Sequence, residues 1–148
     1  MKAVITYVIL ILSAAAVMQC HPAKSAKARG DGSEQLYLFR WELTELRGKP
    51  VQKSERVQPF LLFEPGEPGQ LSGSVGCNQM AGTFTLGEDQ SILISPVITT
   101  RMACPDQDLE YAFSSILRLI DKWTLEGESL VLSKSDKPAA TFKAAPGR

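Results

Sequence analysis

From Leu36 to Phe142 the apolar residues come in short runs, mostly on alternate positions, and Gly and Pro break the runs apart; one stretch alone carries a helical period. That pattern restricts the chain more than any other feature. Alternation places successive side chains on opposite faces of a strand, and closely spaced turn residues keep each strand short. Tyr37, Phe39, Trp41 and Leu43 form the clearest run, predicting a strand over Leu36–Leu43. Phe60–Phe63, Leu71–Val75, Gly82–Leu86 and Ile92–Ile98 (broken by Pro96) follow as further extended segments, with the Pro- and Gly-rich Glu64–Gln70 as a loop. Trp123–Glu126 and Ser129–Ser133 pair about Gly127, and Ala140–Lys143 is a last strand. Gly48-Lys49-Pro50 reads as a turn.

The helical stretch spans about 105–122. Pro105 suits its first position, Asp106, Asp108 and Glu110 load its first turn, and Arg118 and Lys122 lie near its far end, complementing the helix dipole. Leu109, Phe113, Ile116, Leu117 and Ile120 make one apolar stripe. The predicted fold class is α+β: a mostly antiparallel small β-barrel or curled sheet with one principal helix packed on it.

The N-terminus is organised differently. Lys2, an apolar run from Ala3 to Leu12 and small residues to Ala16 have the order of a secretory signal, over 1–19. The competing reading is a short membrane anchor. Val17-Met18-Gln19-Cys20 sits where a lipoprotein signal would place its lipid-modified cysteine, making Cys20 the candidate lipidation site. Cleavage after Ala16 or after Ala28 is the alternative. Residues 20–35 carry almost no large apolar side chain and read as a flexible tether, leaving 36–148 for one domain.

Three cysteines occur. With Cys20 lipidated, Cys77 and Cys104 remain as an even pair in an oxidising compartment, consistent with a disulfide worth about 3–4 kcal/mol, or with two buried thiols. The single histidine, His21, falls in the tether. No base stands beside either thiol, no cysteine spacing suits a metal, and no phosphate or dinucleotide motif appears. The chain has 16 basic and 16 acidic residues, so no basic excess points to nucleic acid. The expectation is therefore a monomer without enzymatic activity, cofactor, metal site or nucleic-acid partner.

Four stretches form a recognisable set: Trp41-Glu42-Leu43-Thr44-Glu45-Leu46-Arg47-Gly48, Ser72-Gly73-Ser74-Val75-Gly76-Cys77-Asn78 with Gly82 beyond it, Thr100-Arg101-Met102-Ala103-Cys104-Pro105, and the closing hairpin around Leu130-Val131-Leu132. Together they resemble the META domain, the HslJ-like family of bacterial heat-shock and envelope proteins. The resemblance implies a small barrel-like α+β fold with no established enzymatic activity. It also implies association with envelope stress, heat shock or antibiotic tolerance. The expected role is an interaction or scaffold module, held at the envelope by its lipid and meeting an envelope protein. A binder of a small apolar ligand inside an open barrel, or an inhibitor of a secreted or periplasmic hydrolase, is the alternative. His21 is not the Asp that retains lipoproteins at the inner membrane in enteric bacteria, which favours the outer membrane. The motif residues read as architecture, with Gly76 and Gly82 at bends, Asn78 in a tight corner, and Thr100 and Met102, leading into the helix start, as core and cap rather than active site.

Overall fold

The computed structural model describes residues 32–52, 58–103 and 107–146. The expected signal, the lipidation site Cys20, and Cys104, Pro105 and Asp106 lie outside them. The described chain opens with a 3₁₀ turn, Ser33–Tyr37, where the alternation predicts a strand. Leu36 is fully buried from that turn, and the indole Nε1–H of Trp41 donates to its carbonyl at 3.0 Å.

Strand β1 (Arg40–Leu46) comes next and sits between two neighbours. On one side it pairs with β3 (Phe60–Glu64) at Trp41 and Glu42. On the other it pairs with β10 (Lys137–Ala145), from Arg40 opposite Ala145 to Leu46 opposite Ala140. The register slips between Leu43 and Glu45, so Thr44 is an extra residue. Its Oγ1 donates to the Thr141 carbonyl at 3.0 Å. That bulge explains a spacing that alternation alone does not: Trp41 and Leu43 face inward two residues apart, and Leu46 faces inward three further on.

Past Leu46, the tight turn Arg47-Gly48 leads into β2 (Lys49–Pro50), a two-residue strand on β1 where the sequence predicts only a turn. The path runs through β4 (Gly69–Ser74), β5 (Gln79–Leu86) and β6 (Ile92–Ile94), with β7 (Ile98–Thr99) also pairing β5. Beyond the helix come β8 (Lys122–Glu126) and β9 (Ser129–Lys134). The order across the sheet is β6-β5-β4-β3-β1-β10-β9-β8, all antiparallel. The sheet curls until its ends meet at one bridge, Ser91 to Lys122. There Ile92 N–H donates to Asp121 O at 3.1 Å and Trp123 N–H to Gln90 O at 2.9 Å. The α+β curled sheet expected from the sequence is what forms.

Helix α1 runs Gln107–Leu117 and ends before the predicted limit at 122. Leu119 N–H turns back to Ile116 O at 2.9 Å, and the Asp121 carbonyl is claimed by Ile92. Arg118 and Lys122 therefore lie beyond the helix, and its last turn carries no basic residue. Ile120, the end of the apolar stripe, is still buried. Phe113, Ile116 and Leu117 enter the same core as Trp41, Leu43, Phe63, Leu71, Trp123, Leu132 and Phe142. The rings of Phe113 and Phe142 stand 5.9 Å apart.

Candidate functional site

The corner after β4 is assembled from side chains that span three segments of the chain. Ser74 is buried at the strand's end, and its Oγ donates to the carbonyls of Gly76 and Asn78 while accepting from Gly76 N–H at 3.2 Å. Val75 N–H donates to Asn78 O at 2.9 Å. Gly76 takes φ 144°, outside the range favoured by residues with a Cβ.

Asn78, also buried, uses both ends of its side chain. Its Oδ1 accepts from Thr100 Oγ1 and from Met102 N–H, each at 2.8 Å. Its Nδ2 donates to Met102 O at 3.3 Å and to Glu110 Oε2 at 2.7 Å. The other carboxylate oxygen of Glu110 accepts two backbone donors, Cys77 N–H at 2.7 Å and Asn78 N–H at 3.0 Å. Thr100 completes the arrangement: its Oγ1 accepts from Gln79 N–H and its own N–H donates to Gln79 O, both at 3.0 Å. Three stretches far apart in sequence thus become one hydrogen-bonded unit.

The family model for the META domain matches residues 34–146. This chain belongs to the META-domain family. Its fold also matches solved structures. An NMR structure 28% identical to it covers 75% of this chain and 92% of its own, with a TM-score of 0.58. Another NMR structure, of a protein from Burkholderia xenovorans, is 22% identical and covers 86% and 98%, with a TM-score of 0.62. A DUF4847-family protein from Bacteroides vulgatus shares the fold at 13% identity and a TM-score of 0.54, covering 78% and 99%. No curated protein matches at a significant level.

Within this META domain the other motif residues fall in place as follows. Trp41, Leu43 and Leu46 are core, and Gly48 supplies φ 73° to the turn. A Cβ on Gly82 would come 3.1 Å from Val97 Cγ1 and 3.3 Å from Ser95 Oγ, which accepts from Thr83 N–H at 2.8 Å. Cys77 is disulfide-bonded. Thr100 holds the corner through its hydroxyl, which joins Gln79 N–H to Asn78 Oδ1. Met102 does not join the core: its backbone binds Asn78 while its side chain is 55% exposed, and Ala103 is exposed beside it.

Sequence reading misses Glu110. It takes the residue as one of three helix-dipole acids. The usable signal is position: Glu110 precedes Phe113 by three and Leu117 by seven, so it lies on the buried face and not the solvated one. Around the clamp, Thr99, Arg101, Met102, Gln107, Tyr111 and Ser114 line an open cleft of about 540 Å³. Tyr111 is 77% exposed and Ile98, on β7, 74%. Among the described residues no cluster of three His, Cys, Asp or Glu could hold a metal ion.

Proposed function

We propose that this META domain is a non-enzymatic interaction or scaffold module of the bacterial cell envelope, serving heat-shock, envelope-stress or antibiotic-tolerance responses. It is exported, carried on a lipid at Cys20 and stapled by a Cys77–Cys104 disulfide, and it acts as a monomer on an envelope protein. The observation that carries this reading is the use made of Glu110. Its carboxylate is the acid best placed to do chemistry in the cleft, yet it is taken up by three N–H donors that hold the corner. A carboxylate so engaged is a structural acceptor rather than a proton shuttle. What the corner presents outward is apolar and cationic: Met102, Tyr111 and Arg101, with Ile98 also exposed on β7. Large exposed apolar side chains on a rigid frame suit a protein contact.

The apolar-ligand alternative has little room in the described interior, where Trp41, Phe63, Phe113, Trp123 and Phe142 are packed. The test places a photocrosslinking amino acid at Met102, at Tyr111 and, as a control on another strand, at Leu93, in living cells of the host. The reading expects one discrete envelope-protein adduct from 102 and 111 and none from 93. Equal labelling at all three sites, or none, overturns it. A captured secreted hydrolase would instead favour the inhibitor alternative.

A further inference from the structure

At the far end of β1 lies a second concavity, between the β1–β2 turn and α1. It measures about 460 Å³ and is lined by Leu46, Val51, Leu109 and Ala112, with Arg47, Lys49, Pro50 and Gln52 at its rim. That is the small end of ligand-sized sites, with an apolar bed and a few polar groups at its edge. Arg47 is held on that edge in the left-handed region, φ 53°, ahead of Gly48 at φ 73°. Its N–H is pinned to Ala139 O at 2.9 Å. Two-residue turns of this kind favour Asn, Asp or Gly in the first place, so an Arg there runs against the local conformational preference. Among the described residues no ion pair or side-chain hydrogen bond occupies Arg47 or Lys49. Two uncommitted cations thus stand over a bed of four apolar side chains.

We infer that this groove binds a free single-chain anionic amphiphile, a long-chain fatty acid, with its carboxylate between Arg47 and Lys49 and its chain along Val51, Leu109 and Ala112. A planar guanidinium matches a carboxylate in a forked pair. The groove's size accommodates one acyl chain rather than two. This inference goes beyond the interaction reading and uses a different surface.

The exported chain, purified from its host into nanodiscs of zwitterionic lipid, is irradiated with a diazirine-bearing palmitate and peptide-mapped. Adducts are expected on the peptides carrying Val51 or Leu109–Ala112. Excess palmitate should compete them away, and hexadecanol, which lacks the charge, should not. Arg47→Asn with Lys49→Gln removes both cations yet suits the turn, so it should keep or raise the melting temperature while cutting adduct yield about tenfold. Ala112→Trp should fill the bed and abolish labelling. Adducts mapping elsewhere, equal competition by the alcohol, or undiminished labelling of the double variant would each sink the proposal.

Discussion

Asn78 and Glu110 grip each other twice: the side-chain amide donates to one carboxylate oxygen at 2.7 Å and the backbone N–H to the other at 3.0 Å. Glu110→Gln keeps the shape but sets an amide N–H₂ against donors. It is expected to lose about 2 kcal/mol in urea unfolding. Asp108→Asn, exposed on the same helix, should stay within about 0.5 kcal/mol. Equal losses from the two would mean the clamp contributes nothing.

Gly73→Ala should be far worse than any surface change. A Cβ there would collide with the Phe60 carbonyl oxygen, inside the β3–β4 pairing. The expected cost exceeds about 3 kcal/mol and shows as insoluble or molten protein. Gly127→Asn is the contrast, since that turn has φ 61° and open space, and Asn tolerates it. Its melting temperature should barely move.

Two surface pairs add small, opposite pH dependences to stability. Asp121 is held below the usual aspartate value, first by the hydrogen bond from Lys134, then by Ser135 N–H. A depressed acid contributes stability above its unfolded value and loses it as pH falls through the folded one. Lys122 is held above the usual lysine value by Asp136, at 2.8 Å. Its contribution is full below the unfolded value and is lost as pH rises through the folded one. NMR titration of the Asp121 carboxyl should show its midpoint climb in Lys134→Ala. An unmoved midpoint would remove Lys134 as the cause.

Cys77→Ala and Cys104→Ala should each cost about 3 kcal/mol, and the double variant no more than either alone. Calorimetry under oxidising conditions decides it. Additive losses would mean that the two do not pair.

Fold class was legible because alternation and turn residues act locally: nearly every strand sits within a few residues of its apolar run. What failed was set by long-range pairing. Tyr37 keeps the alternating phase of β1 but belongs to a 3₁₀ turn, because Leu36 must drop into the core beneath Trp41. The helix stops early because the Asp121 N–H, which a continued helix would aim at Leu117 O, donates to Ser133 O on β9 at 3.1 Å. Of the candidate site, Gly76, Asn78 and Thr100 stood out as a set of motifs. Glu110, which accepts from Cys77 and Asn78, lies 32 residues from Asn78 along the chain; its helix position marks it as inward-facing, but nothing local names the distant corner it serves.

The turn that seats Leu36 also decides how the domain bears load. A pull on the chain ahead of Ser33 must first draw Leu36 from the core and break its carbonyl's bond to the Trp41 indole. It then reaches β1 lengthwise. Because β1 is paired on both flanks, with β10 along its whole length and β3 at its start, a load on it strains two ladders at once. A domain hung by this end therefore carries its load on the central strand of the sheet and not on a free edge.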